Sequence, residues 1–312
     1  MWDGNAIGID LGGSQLRVAR VSAVGKVLAA KRCATDRAGG PEAVIAQMLQ
    51  MAQHLDDGSV TRMGVGIPGT IEAASGVVLN IPALPGWVRF PLAERLQGAL
   101  GHPCRLENDA KAATLGEWQA GAGQGLQNFV YVTISTGIGS AAVMDGRLLR
   151  GKGGLAGEIG HTKISDSPVT CACGLTGCWQ ATASGAGLDL QAQRIARDDP
   201  RGATAQAAGA ATPTGVHLGR AAQDGDPTAR AALDGHARLL GQGLTNLQHV
   251  YSPEVIVMGG GVSALLEPMR RTIEDTMRER LLPGFTPALI KGAALGEDAG
   301  LIGAALGERV AP

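Results

Sequence analysis

Two stretches of this 312-residue chain repeat one plan, and the repeat limits what the chain can fold into. In the first, Ile7-Gly-Ile-Asp10-Leu-Gly12-Gly13-Ser14 is an apolar run, an aspartate and a Gly-Gly-Ser turn. Alternation resumes through Leu16, Val18 and Val21, and Val24-Gly25-Lys26 turns into a third strand. That pattern predicts a β-hairpin. The stretch from Val130 to Gly146 repeats it: an apolar strand, the turn Ser135-Thr136-Gly137-Ile-Gly139-Ser140, a second strand and a tight turn. Gly13-Ser14 falls on Gly139-Ser140 at an offset of 126 residues. The repeat predicts an internal duplication, two α/β lobes each offering a glycine-rich turn to one cleft. Glycine lets backbone N–H groups approach phosphate oxygens, Ser14 adds a hydroxyl, and a carboxylate at Asp10 suits the hydration shell of Mg²⁺. Taken alone, the first turn reads equally as a hairpin turn with no ligand. Its recurrence favours phosphate.

The second constraint is GEIGHTKISDSPVTCACGLTGCWQATASG, from Gly157 to Gly185. His161, Cys171, Cys173 and Cys178 fall within eighteen residues. Three thiols and an imidazole are a tetrahedral zinc set, and Gly174 and Gly177 allow a short loop to fold the sulfurs toward one point. Buried thiols or a disulfide are the alternatives. Three of the chain's five cysteines packed beside one histidine favour zinc. Four ligands leave no open position, so the metal's expected role is structural. A metal-bound histidine still offers its second ring nitrogen, so the site can hold a polar group at the edge of a pocket.

Glu158-Ile-Gly-His161, then Cys171-x-Cys173-Gly-x-x-Gly-Cys178 and Ser184-Gly185, resembles the signature of the ROK family, which contains bacterial sugar kinases and sugar-responsive repressors. The resemblance covers nearly the whole chain. It implies an α/β fold of the duplicated actin-like (ribonuclease H-like) ATPase type, two lobes around a central cleft. The expected division is 1–112 plus 294–312 for a small lobe and 113–293 for a larger lobe with the zinc loop. Glu107-Asn108-Asp109-Ala110 matches the family's Glu-Asn-Asp-Ala motif. By itself this Asn-Asp pair reads as a helix cap. The resemblance implies instead that Asp109 is the catalytic base and that Asn108 lies on the sugar. It also implies that Glu158, His161 and Gln180 contact the sugar, and that the Pro-rich loop from Asn80 to Trp87 borders it, with Trp87 more readily a packing residue than a stacking one. Asp10, Gly12, Gly13, Ser14, Thr136, Gly137 and Gly139 are the implied phosphate and Mg-ATP contacts. The strand Glu254–Met258 runs into Gly259, Gly260 and Gly261, which by themselves read equally as a plain turn; the resemblance implies that they lie against the nucleotide's ribose or adenine.

Three positions depart from the family pattern. Lys111 stands where Asn is common, Gln180 where the family has Glu after the third cysteine, and Ala83 where Asn is frequent in the Pro-rich loop. Glutamine keeps an acceptor, adds donors and loses the charge. The last two changes fall on the sugar side, so they bear on substrate choice.

Elsewhere the spacing predicts helices over 41–53, 90–100 and 265–282, a helix followed by a flexible Ala-rich loop over 186–213, and a helical region over 217–251 broken at Gly225-Asp226-Pro227. A small-residue helix is expected over 293–306, returning to the first lobe. The net charge of −1 suggests neither a nucleic-acid nor a membrane partner. No apolar run reaches transmembrane length, the N-terminus has no signal-peptide pattern, and unpaired cysteines suit the cytoplasm.

Together these readings predict an ATP-dependent kinase acting on the 6-hydroxyl of glucose or an N-acetylhexosamine, with fructose ranked lower and a homodimer implied by the family. The competing readings are a repressor, a sugar-binding protein with weakened catalysis, and a chaperone-like ATPase. The first strand begins near Ile7, which leaves no room for a preceding helix-turn-helix and counts against the repressor. The zinc stretch and Asn108-Asp109 count against the chaperone-like ATPase. Asp109 counts against lost catalysis.

Overall fold

The structure is a computed structural model and describes residues 4–261 and 266–308. Strands β1 (Asn5–Leu11), β2 (Gln15–Val21) and β3 (Val27–Ala34) form the predicted antiparallel meander. Helix α1 (Gly40–Leu55) follows, and β4 (Val60–Ile67) returns parallel to β1. A small antiparallel sheet of β5 (Thr70–Glu72), β6 (Val77–Asn80) and β7 (Val88–Phe90) precedes α2 (Leu92–Leu100). Next comes β8 (Cys104–Asn108), parallel to β4, which runs directly into α3 (Asp109–Ala120). The first large sheet has the order β3-β2-β1-β4-β8.

The second half opens with β9 (Phe129–Ile134), β10 (Ile138–Met144) and β11 (Arg147–Leu148). Five helices follow: α4 (Trp179–Ala183), α5 (Gly185–Asp198), α6 (Ala203–Ala208), α7 (Gly215–Gln223) and α8 (Pro227–Tyr251). The chain closes with β12 (Val255–Gly259), α9 (Leu266–Arg280), β13 (Leu289–Gly292) and α10 (Ala299–Leu306). This sheet has the order β11-β10-β9-β12-β13. Each large sheet therefore places its own third, second, first, fourth and fifth strands in the same spatial order, and the duplication read from the glycine turns extends to the topology.

β1 is apolar on both faces because both are covered. Ile7, Ile9 and Leu11 join Val44, Met48 and Leu96 in one core, while Ala6 packs with Leu301 and Ala305 on the other side. Helix α10 lies close enough that only glycine fits beneath it. A Cβ on Gly8 would come 2.2 Å from Leu301 O, and one on Gly64 would come 1.8 Å from Ala304 O. Gly303 presses on α3 in the same way: a Cβ there would come 1.6 Å from Ala112 O. The buried Glu117 carboxylate fixes the approach to α10 by accepting from the N–H groups of Ala294 and Leu295.

Several expectations are corrected. Phe90 belongs to β7, and Pro91 is the N-cap of α2. The Ala-rich segment contains α6, whose Thr204 and Ala208 are buried, so small side chains here mark close packing. The last helix begins at Ala299, because 296–298 form a 3-10 turn and Gly292 ends β13. Leu265, the expected start of the helix before it, lies outside the described residues. The chain divides into two compact units, Met1–Tyr131 with Ala141–Gly157 and Lys291–Pro312, and Val132–Ser140 with Glu158–Ile290. Helix α3 lies wholly in the first unit. No helix among the described residues is long and apolar enough to cross a membrane.

Candidate active site

In the first unit the glycine turn sits between β1 and β2. Gly12 N donates to Gln15 O at 2.8 Å, and Thr35 Oγ1 donates to Gly12 O at 2.8 Å. A Cβ on Gly12 would lie 2.8 Å from Gln15 O, which is why the tight turn needs glycine there. The N–H groups of Gly13 and Ser14 donate to nothing among the described residues. At the end of β1, Asp10 is held by Arg17, whose Nη2 is 2.5 Å and Nε 3.2 Å from Oδ2. Both bonds go to one oxygen and leave Oδ1 for another partner.

The β8–α3 junction carries Asn108 and Asp109. The cap reading holds for Asn108: its Oδ1 accepts from Lys111 N at 3.3 Å. Its Nδ2 donates to Gly69 O at 3.4 Å. Gly69 has φ +136, and a Cβ there would strike Asn80 O at 2.4 Å. Asn80 and Asn108 thus meet through one glycine. Asp109 is exposed, and its Oδ1 accepts from Ala110 N at 2.8 Å. Ala83 lies against Gly13, and Arg37 donates to the Ala83 carbonyl. Trp87 is 1 % exposed with its ring 5.3 Å from that of Phe90, so it packs in the core. Lys111, at 2 % exposure, is buried.

In the second unit the four expected metal ligands converge. One donor atom from each of His161, Cys171, Cys173 and Cys178 lies within 4.8 Å of the others. His161 Nδ1 is 3.5 Å from Cys171 Sγ, and Cys173 Sγ is 3.7 Å from Cys178 Sγ. The loop is built by bridges Lys163–Cys178 and Thr170–Thr176. Gly174 and Gly177 take φ of +86 and +76, as the fold-back requires. The Leu175 N–H holds the Cys173 thiol down to about 7, while desolvation pushes Cys178 up to about 11. Soft sulfur donors with an imidazole fit zinc. His161 Nε2 points the other way, 4.0 Å from Glu158 Oε2. Trp179, next to Cys178, is fully buried and donates from Nε1 to Leu239 O at 3.1 Å. Gly243 makes the space: a Cβ there would overlap the indole at 2.0 Å.

The second glycine turn belongs to the same unit. Ser135 N donates to Gly137 O at 2.9 Å, and Gly185 N donates to Ser135 O at 2.7 Å. Gln180, expected on the sugar, directs its Oε1 to Ile138 N at 3.1 Å. Beside this turn opens a cavity of about 780 Å³ lined by Thr136, Leu188, Asp189, Val216, Arg220 and Gly261. Asp189 Oδ1 accepts from Gly215 N at 2.7 Å and so fixes α7 against α5. Of the triple glycine, Gly261 reaches the cavity. Gly260 has φ +86 and sits against Ile134 O. Gly259 is buried in β12. Sequence reasoning missed Leu188, Asp189, Val216 and Arg220. They are scattered over two helices whose spacing signals only amphipathic packing.

The ROK family profile matches residues 6–307. The chain belongs to the ROK family. It is 32 % identical over 302 residues to the glucokinase of Thermotoga maritima, covering 96 % of this chain and 95 % of that one. It is 31 % identical over 306 residues to the N-acetylmannosamine kinase of Yersinia pestis, covering 98 % and 99 %. The crystal structure of a ROK family glucokinase from Streptomyces griseus in complex with glucose and AMPPNP aligns with a TM-score of 0.83 at 32 % identity, over 97 % of this chain and 98 % of that one. These ROK proteins match this chain over nearly its full length, so both glycine turns, the Asn108-Asp109 junction and the Cys/His loop all fall inside the family match.

Proposed function

We propose that this ROK protein is an ATP-dependent kinase for a hexose or N-acetylhexosamine, phosphorylating the 6-hydroxyl of glucose, N-acetylglucosamine or N-acetylmannosamine. The observation that carries the reading is the β8–α3 junction, where an exposed Asp109 follows an Asn108 whose side chain is held at both ends.

Asp109 accepts the proton as the hydroxyl oxygen bonds to the γ-phosphorus, and the β,γ-bridging oxygen leaves with ADP. A positioned base of this kind contributes ~10²–10⁴-fold, and the rest is positioning and charge stabilisation. Asn108 and Asn80, with Glu158, His161 and Gln180, hydrogen-bond the sugar. Once a bound sugar covers them, groups aimed at ring hydroxyls reject a sugar that lacks one, because their own bonds go unmade. The open N–H groups at Gly13 and Ser14, and the turn Thr136-Gly137-Ile138-Gly139, receive phosphate oxygens. Bound Mg²⁺ supplies charge neutralisation at the phosphates. Asp10, whose Oδ1 accepts nothing among the described residues, would hold that ion's water. Leu188 and Val216 offer apolar surface to the flat adenine ring, with Asp189 and Arg220 at polar edges. His161, Cys171, Cys173 and Cys178 hold a structural zinc, which leaves His161 Nε2 as a fixed donor beside Glu158. A cytoplasmic homodimer without a nucleic-acid partner completes the reading.

The test is a coupled ADP-release assay with Mg-ATP over a panel of hexoses and N-acetylhexosamines against a no-sugar control. One sugar raising turnover far above the others supports the kinase and names its substrate. No stimulation by any sugar moves the reading to a sugar-binding regulatory protein.

A further inference from the structure

The ROK signature holds the second glycine turn most closely at Ile138. Its N–H donates to Gln180 Oε1 at 3.1 Å. Its carbonyl is covered by Gly160, where a Cβ would come within 2.2 Å of Ile138 O. Gly160 lies between Glu158 and the ligand His161, and Gln180 lies two residues after the ligand Cys178. The carboxamide also covers the preceding residue: a Cβ on Gly137 would be 2.7 Å from Gln180 Oε1. At the other end of the turn, Gly185 N holds Ser135 O. The Ser135–Ile138 turn is therefore fastened at both ends to the segment that leaves the cysteine loop. That segment is anchored by Trp179 on α8. The Ile138 N–H needs an acceptor, so the amide oxygen faces it. Nε2 is then the group of Gln180 that remains for another partner, and it donates to nothing among the described residues.

We propose that Gln180 is a positioning residue for the nucleotide: it sets the Ser135–Gly139 turn for phosphate and ties that turn to the cysteine loop. The proposal rests on the reading of this turn as a phosphate contact. Its consequence is that a side chain expected to act on the sugar should control nucleotide affinity even when no sugar is present.

The experiment measures binding of AMPPNP with Mg²⁺, without sugar, to the wild type, Gln180→Met and Gln180→Glu, with zinc content and thermal midpoint recorded for each. Methionine keeps the length and removes the acceptor; glutamate keeps an acceptor. Loss of one such bond corresponds to roughly tenfold in affinity. The expected result is AMPPNP binding weakened about tenfold in Gln180→Met and kept within about twofold of wild type in Gln180→Glu, with equal zinc in all three. Unchanged binding in Gln180→Met would overturn the proposal. Equal weakening in both variants would do so too, since it would mean a merely structural role for α4. A wild type that binds no AMPPNP would overturn the phosphate reading of the turn, and the proposal with it. That outcome is distinct, because it appears before any variant is compared.

Discussion

Arg150 Nη2 lies 2.7 Å from Glu107 Oε2, one residue before Asn108 and two before Asp109. The other oxygen of Glu107 accepts from Asn108 N at 3.2 Å. Arg150 is held in turn by Glu308, whose second oxygen accepts from Leu148 N. A residue after β11 and another after α10 therefore brace the β8–α3 junction. Arg150→Met should leave Glu107, only 13 % exposed, without its counter-charge. The expected cost is about 1–2 kcal/mol, below the full buried-pair value because Arg150 is a third exposed. Thermal unfolding checks the cost. Steady-state kinetics should show kcat falling with sugar KM little changed; an unaltered kcat would mean that the brace does not reach Asp109.

Asp109→Asn should reduce sugar-dependent turnover by at least ~10²-fold while sugar binding persists, since the amide cannot take up the hydroxyl proton. Isothermal titration with the sugar named by the panel assay, run beside kinetics, separates chemistry from binding. Near-normal turnover would remove Asp109 as the base.

The four converging donors predict about one zinc per chain. Cys171→Ser should lose most of that metal, lower the thermal midpoint and weaken the sugar, because His161 and Glu158 are then no longer fixed. Elemental analysis with differential scanning fluorimetry tests this. Full activity in protein that carries no metal would refute a structural zinc.

Gly303→Ala should destabilise severely. The new Cβ would fall 1.6 Å from Ala112 O, and both α10 and α3 would have to separate. Overpacking costs roughly 1–3 kcal/mol, and more where backbone meets backbone and neither can give way. Gly292→Ala, where a Cβ meets nothing within 4 Å, is the control and should stay near wild type.

His236 lies within α8 at 1 % exposure, and neither ring nitrogen has a hydrogen-bond partner among the described residues. Burial pushes its pKa down from 6.5 to about 4. Between those values the unfolded chain binds a proton that the folded chain refuses. Stability should therefore fall as the pH drops from about 6.5 to about 4 and level off below, by about 3 kcal/mol at most. Denaturant titrations across that window should show the slope in the wild type and a flatter one in His236→Leu.

Much of this molecule is written locally. Asp10-Leu-Gly12-Gly13-Ser14 and Ser135-Thr136-Gly137 specify their turns because tight reversals need glycine whatever surrounds them. The convergence of His161, Cys171, Cys173 and Cys178 is legible because they come from one loop, where spacing alone brings the donor atoms together. The Asn108 cap and the start of α3 are decided by neighbours in sequence, as is the break at Gly225-Asp226-Pro227. What the tertiary structure alone decided comes from distant segments. The cavity beside the second glycine turn takes Leu188 and Asp189 from α5 and Val216 and Arg220 from α7, and no spacing rule links two helices. Gln180 looks like a sugar contact by position, yet its oxygen is turned to Ile138, 42 residues away. Glu117, within α3, is buried to hold Ala294 and Leu295, more than 170 residues on. The physical reason is the same in each case. Backbone conformation is set by a residue and its near neighbours, whereas the partner that satisfies a buried polar group is set by packing, which places it without regard to separation along the chain.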